Sequence, residues 1–479
     1  MLIGLDLGTS GLKGVVLGTS GEVVASARAD YSTHRPELGA SEQDPHDWAA
    51  AIIAVLGELS ELVDPATWLG IGLSAMIPTI VVTDMSGEIL HPSITWEDAR
   101  AEPQGEQLRS QRGAVETYHN TGQWLDGRYL LPMYLRLAPQ LHQGQVRVLG
   151  AKDWILHWLT GVYATDPATA TGSGAYNLIT GDYDTSILDL VGQWTRSEIE
   201  LAPVSDSTVT YPISDEIAEL LGVPRGLPIA VGAADAMAAL LGLGVGTPGD
   251  IVYLAGTSTV IVGIDETPHF DAEQRFLVTP LALGGYGHEM DLLATGSAQA
   301  WLADLLGLDA PDIVAELGRS VQPDDSGLPT MLAYVAPGEQ GALWDPLLTG
   351  VIEGLTLHTS AAHLARALLT AINVESARCV AVWQENSPRS GELHVAGRGI
   401  DQATLQELAD ATGRHAHLCG QEHAAHSAVG AALIVARALG VEPLPVNHHV
   451  TLKTSPRTES WPMWQLLTAR HDELRTRTR

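Results

Sequence analysis

Two short turns carry most of the chemistry this sequence offers. In LDLGTSG, Asp6 closes an apolar run and is followed at once by Gly8, Thr9, Ser10 and Gly11. A carboxylate beside a turn of hydroxyls and outward-pointing backbone N–H groups suits a metal-bound polyphosphate. The plainer reading is a hairpin whose small polar residues only satisfy the turn. In IVYLAGTSTVIVGI, near mid-chain, Gly256, Thr257 and Ser258 again stand between two apolar runs. The repetition favours two related phosphate-holding turns over two accidental hairpins. A third group, Asp235 in VGAADAMAALLGLGV, falls in the first turn of a small-residue helix, where the helix dipole favours a carboxylate. On local pattern alone it reads equally well as a helix-start acid with no other task.

The elements that must hold these residues alternate between strand and helix, as an α/β architecture requires. Leu2 to Leu7 and Leu12 to Leu17 read as strands joined through the first turn. Pro228 to Val231 reads as a strand, Gly232 as a turn and Ala233 to Leu243 as a helix. KDWILHWLTG has helical periodicity with Gly161 as its stop, and ISDEIAELLG starts at Ser214 and Asp215 and stops at Gly222. A long amphipathic helix is expected around His358 to Ala371. GELHVAGRGIDQATLQELADATG reads as a strand, a turn at Gly397 and Gly399, and a helix ending at Gly413. The tail ARHDELRTRTR reads as a frayed helix end in solvent. His415, His417, Cys419, His423 and His426 cluster in HAHLCGQEHAAH but match no standard zinc spacing, and read as ordinary surface and core residues.

A chain of 479 residues exceeds what one core usually supports, so two domains are expected. The net charge of -31, from 57 acidic against 26 basic residues, argues against nucleic acid or an anionic membrane as partner. A phosphate ligand then needs local cations, for which Lys13 and Arg398 stand as candidates beside the alternative of solvated surface charges. The two cysteines, Cys379 and Cys419, show no disulfide or metal spacing, which points to a reducing compartment. With no apolar stretch of membrane length, a soluble, cytoplasmic protein is expected.

These stretches together resemble the FGGY carbohydrate kinases, relatives of xylulokinase, gluconokinase and glycerol kinase within the actin-like superfamily. IGLDLGTSGLKGVV, SEQDPHDW, SITWEDARA, KDWILHWLTG, VGAADAMAALLGLGV, LAGTSTV, GEQGALWDP and GLTLHTSAAHLARAL occur in family order over nearly the whole chain. The resemblance implies an α/β fold of two actin-like (ribonuclease H-like) domains around a central catalytic cleft. Residues 1–244 would form the N-terminal domain, with sugar site and base, and 245–479 the C-terminal, nucleotide-binding domain. It implies ATP and Mg2+ as cofactors and a small-molecule sugar as partner, with neither nucleic acid nor membrane; members of the family often form homodimers.

By the same resemblance Asp235 is the catalytic base and Asp6 positions magnesium through water. Thr9, Ser10 and Lys13 line the phosphate region, and Gly256 and Thr257 fall on the second phosphate turn. Gly296 in TGSAQAWL contacts the nucleotide, and Gly397 and Arg398 lie on the adenosine loop. Trp96, Asp98 and Arg100, in the pattern W-x-D-x-R, fall on the substrate side together with Met76 and Ile77. Trp96 would give its indole face to the C–H surface of a sugar. The chain also departs from the pattern. Ile77 and Pro78 replace the Met-His pair of xylulokinases, Ala396 and Arg398 stand where glycines are usual, and Arg128 lies near a substrate-contacting position. The expected activity is transfer of the ATP γ-phosphate to a hydroxyl of a pentulose, as in xylulokinase. The alternatives are a sugar-acid or polyol kinase of gluconokinase type, and a catalytically weak sugar-binding sensor.

Overall fold

The computed structural model describes residues 1–141, 144–336, 341–343, 348–397, 399–420, 425–441 and 450–478. The chain divides into two compact units. The first comprises Met1–Gly244, Val278–Tyr286 and Ala425–Asn447; the second comprises Val245–Leu277, Gly287–Ala424 and His448–Arg479.

The first unit is built on a six-stranded mixed sheet in the spatial order Thr210–Pro212, Pro228–Ala234, Gly70–Ala75, Leu2–Leu7, Gly11–Leu17, Val23–Asp30. Leu2–Leu7 pairs antiparallel with Gly11–Leu17 and parallel with Gly70–Ala75, which in turn pairs parallel with Pro228–Ala234. The first two strands are buried almost throughout, as continuous apolar runs require. On the sheet lies the helix His426–Ala438, drawn from late in the sequence. Its approach is very close: a methyl at Gly72 would stand 1.8 Å from the Ala431 carbonyl oxygen, and one at Gly4 1.8 Å from that of Ala428. The run SAVGAALIVARALG is rich in small residues because only these let helix and sheet backbones meet at that distance.

In the second unit the strands Thr259–Asp265, Ile251–Ala255, Leu393–Gly397, Ala416–Cys419 and Val450–Thr454 lie side by side in that order. The first two form the antiparallel hairpin around Gly256 to Ser258, and Ile251–Ala255 pairs parallel with Leu393–Gly397.

Three elements differ from the sequence expectation. Gly232 does not end its strand, which runs on to Ala234, so the following helix is Asp235–Leu243 rather than Ala233 to Leu243. The expected helix at His358 to Ala371 spans Ala361–Asn386, since buried Asn373, Glu375 and Ser376 interrupt its apolar pattern without interrupting the helix. The tail is no frayed end: helix Trp461–Thr478 buries Trp464, Leu467, His471 and Leu474. Among the described residues no helix is long and apolar enough to cross a membrane.

Candidate active site

In the first unit the carboxyl ends of three adjacent parallel strands bring the expected acids to one edge of the sheet. The register aligns Leu7 with Ala75 and Ala75 with Ala234. Asp6 is thus one residue before this row on one flanking strand, and Asp235 one residue after it on the other. Between them the middle strand ends at Ala75 and is followed by Met76, whose N–H donates to the Leu7 carbonyl at 2.9 Å, and by half-buried Ile77. In open α/β sheets ligands bind beyond such carboxyl ends.

Asp6 is 4 % exposed and accepts a hydrogen bond from Ser74 Oγ at 2.9 Å. Burial raises its carboxyl pKa, against the opposing pull of Lys13, its register partner, and of the Ser74 bond. Lys13 is in turn opposite Arg28 on the third strand, and Arg28 Nη2 donates to Ser10 Oγ at 3.2 Å. Arg28 also binds Asp30 at 2.6 Å. Two cations therefore border the Gly8–Gly11 turn where the sequence pattern singles out only Lys13. The turn is pinned from below, because Gly8 N donates to Gly11 O at 3.1 Å and the Tyr31 hydroxyl donates to the Gly8 carbonyl.

Thr9 links this turn to the expected substrate motif. Trp96 Nε1 donates to Thr9 Oγ1 at 3.0 Å, and Gln43 Nε2 donates to the Thr9 carbonyl at 2.8 Å. Gln43 is itself fixed by Trp48 Nε1, which donates to its Oε1 at 2.9 Å. Asp98 and Arg100 meet each other: three of the Arg100 contacts reach the buried Asp98 carboxylate at 2.7 to 3.1 Å, and others reach Glu37 at 3.0 Å and Glu42 at 2.6 Å. Burial by itself would lower the Arg100 pKa, and these acids more than reverse it. Arg128 is likewise paired with buried Asp126.

Asp235 opens its helix half-buried, with Oδ1 accepting from Ala236 N at 2.8 Å. It reaches this place through a bulge. The register with Gly70–Ala75 slips between Ala230 and Ala233, and Gly232 sits at φ +82°, where a methyl would stand 1.9 Å from the Leu73 carbonyl oxygen. Only glycine fits both the angle and the approach.

In the second unit the Gly256–Ser258 turn abuts the start of helix Gly296–Leu306. Ser297 N and Oγ donate to the Thr257 carbonyl at 3.0 and 3.1 Å, and a methyl at Gly296 would stand 2.3 Å from the Gly256 carbonyl oxygen. Buried Thr259 and Thr295 share a hydroxyl bond of 2.8 Å beneath. Exposed backbone and hydroxyls at a helix N-terminus suit phosphate. Gly397 pairs with Ala255 and ends its strand beside this turn. Arg398 lies outside the described residues. Sequence reasoning missed Arg28, Ser74 and Gln43, although Gln43 lies within the SEQDPHDW stretch.

Both units match family models. Residues 1–242 match the N-terminal domain, and residues 251–439 the C-terminal domain, of the FGGY family of carbohydrate kinases. The chain belongs to that family. It is 25% identical to a gluconokinase of Bacillus subtilis (strain 168) over 78% of this chain and 74% of the relative. It is 28% identical to a xylulose kinase of Klebsiella pneumoniae over 86% and 85%. The crystal structure of xylulose kinase from Rhodospirillum rubrum superposes with a TM-score of 0.88 at 26% identity, covering 99% of this chain and 98% of that one. The fold is that of these two-domain, actin-like kinases, and the relatives' names divide between substrates.

Proposed function

We propose that the protein transfers the γ-phosphate of ATP to a hydroxyl of an uncharged sugar, a pentulose in the first instance, with Asp235 as general base. The observation that carries this reading is the placement of Asp6 and Asp235 at the carboxyl ends of the parallel strands either side of Gly70–Ala75, with the hydroxyl-rich turn and two cations beside Asp6. As the acceptor oxygen bonds to the γ-phosphorus, its proton passes to Asp235 and the bond from that phosphorus to the departing ADP oxygen breaks. Such a transition state is loose, so positioning and charge neutralisation matter more than a strong base.

Asp6 would hold Mg2+, a fit resting on a single strand-end carboxylate beside a phosphate turn, since magnesium keeps several waters and takes few protein ligands. When bound, the ion spreads the negative charge of the phosphates. Thr9 Oγ accepts from Trp96 and still has its own O–H to donate to phosphate. Held by that bond, the Trp96 indole offers a fixed floor to a sugar's C–H face. Gly256, Thr257 and Gly296 would hold the nucleotide phosphates, and Gly397 would border the adenosine.

An uncharged acceptor is favoured because Arg100 and Arg128, the cations of the substrate motifs, each have a carboxylate partner already. A cytoplasmic site of action accords with Cys379 and Cys419, neither of which forms a disulfide. The test is ADP release with magnesium and D-xylulose, D-gluconate or glycerol, for the wild type and Asp235→Ala. Strong stimulation by D-xylulose that the substitution abolishes supports the reading. Stimulation by D-gluconate alone moves the protein to the sugar-acid kinases. No stimulation by any of the three defeats these acceptor assignments and favours the sensor reading.

A further inference from the structure

Lys152 begins the KDWILHWLTG stretch and belongs to neither of the two phosphate turns. Its side chain is wholly buried, as is that of Asp166, whose Oδ1 is 3.2 Å away; Asp153 Oδ1 is 3.3 Å away. The ammonium also donates to the Val231 carbonyl at 2.9 Å, so its three protons have three acceptors. Burying a cation between two acids is costly and is often matched or bettered by apolar packing, so its presence needs a reason.

The reason lies in where Val231 sits. It immediately precedes Gly232 inside the segment where register slips between Ala230 and Ala233. The N–H of Val231 is taken by Val209 O at 2.9 Å and that of Gly232 by Ser207 O at 3.0 Å. Lys152 completes the bulge from the carbonyl side. A bulge re-aims the chain beyond it, and this strand leads directly into Asp235.

We propose that Lys152, held by Asp153 and Asp166, is a positioning residue that fixes the Val231–Gly232 bulge and thereby sets the direction in which Asp235 meets the acceptor hydroxyl. The inference rests on the reading of Asp235 as the base. It adds a residue that never touches substrate yet controls the rate of the chemical step.

The test compares Lys152→Met, which removes donor and charge, with Lys152→Gln, which keeps an N–H donor. Both are made in the full chain, alone and with Asp235→Ala. Turnover is measured with ATP and whichever of D-xylulose, D-gluconate and glycerol the wild type phosphorylates fastest, and folding is followed by circular dichroism and thermal melting. Folded Lys152→Met is expected to lose about 10- to 100-fold in kcat, as misplaced groups do, with KM for ATP within about twofold of wild type. Lys152→Gln recovers part of the loss, and Lys152→Met costs nothing further once Asp235 is gone. A folded Lys152→Met with wild-type kcat overturns the proposal, and so does a loss that multiplies with that of Asp235→Ala. If neither variant folds, Lys152 is a brace of the fold and the positioning role falls. An Asp235→Ala protein as active as wild type is a separate result: it removes the base assignment itself, and the inference with it.

Discussion

Each unit carries a strand-turn-strand hairpin with buried acid, at the turn in the first unit and at the far end, as Asp250 and Asp265, in the second. In the first unit Asp6 stands at the turn; in the second, Asp250 stands at the far end, just before strand Ile251–Ala255. Asp250 is fully engaged. Its Oδ1 accepts from Glu392 N at 3.0 Å and its Oδ2 meets His394 Nε2 at 3.1 Å. Burial pushes its pKa up, but the His394 and Glu392 bonds hold it below the usual carboxylate range. Asp6 has only a serine hydroxyl and the field of Lys13 against its burial, and its pKa is raised. The contrast separates an acid placed for the fold from an acid the fold tolerates. A buried, incompletely compensated carboxylate beside a hydroxyl-rich turn suits the proposed cation site.

The largest expected effect comes from Asp6→Asn. Sugar-dependent turnover falls about 100-fold or more, the scale of losing a preorganised electrostatic group. The melting temperature rises by the equivalent of roughly 1 kcal/mol, because a buried charge is gone. A variant that loses both activity and stability would erase the distinction between the two acids. On the proposed role Asp6 must be ionised to hold a cation, so its raised pKa predicts an acid limb above the ordinary aspartate range in turnover measured at low magnesium, where the ion does not pull that limb down.

Asp250→Asn should do the reverse. Breaking a buried ion pair costs about 2–3 kcal/mol of unfolding free energy, read by urea titration, while kcat stays within about twofold. Loss of turnover in a fully folded Asp250→Asn protein would show that this acid, too, serves the reaction.

A pH series sharpens the same contrast. Burial alone would lower the His394 pKa, but its bonds to Asp250 and to the Cys419 sulfur outweigh that and raise it to about 9. The folded imidazole therefore binds its proton more tightly than the unfolded one. The stabilisation is full below the unfolded value of about 6.5 and is lost as pH rises through 9, an effect on the order of 2 kcal/mol. Unfolding measured from pH 6 to 10 should show this decline, and His394→Gln should flatten it.

The smallest effect belongs to Arg28→Ala. With its side chain 43% exposed, Arg28 should contribute about 3- to 10-fold to KM for ATP and nothing to KM for the sugar. Titration of each substrate separately checks the division.

Sequence patterns reached the local features well. Leu2–Leu7 was legible as an apolar run before a turn, and Gly161, Gly222 and Gly413 as helix stops, each with positive φ in the structure. The two turns themselves were legible because hydroxyls and glycines cluster there between apolar runs. What escaped was long-range. Gly232 reads as a turn until Leu73 is seen against it, and Arg28 gains meaning only from the register that sets it opposite Lys13. The tail ARHDELRTRTR looked solvated because its Leu474 packs with Leu332, Tyr334 and Leu348, more than a hundred residues earlier. That helix His426–Ala438 groups with the first unit depends on glycines at positions 4 and 72, which no local window connects.

The central claim divides labour between the units, with acceptor chemistry at Asp235 and nucleotide phosphates on the turn beside Gly296. It is tested most directly by measuring ATP affinity and sugar-dependent turnover on the same preparations of Asp235→Ala and Gly296→Ala. The account predicts that Asp235→Ala binds ATP as the wild type does but transfers phosphate at least about a hundredfold more slowly, whereas Gly296→Ala binds ATP at least about tenfold more weakly. Wild-type turnover in Asp235→Ala, or wild-type ATP affinity in Gly296→Ala, would contradict it.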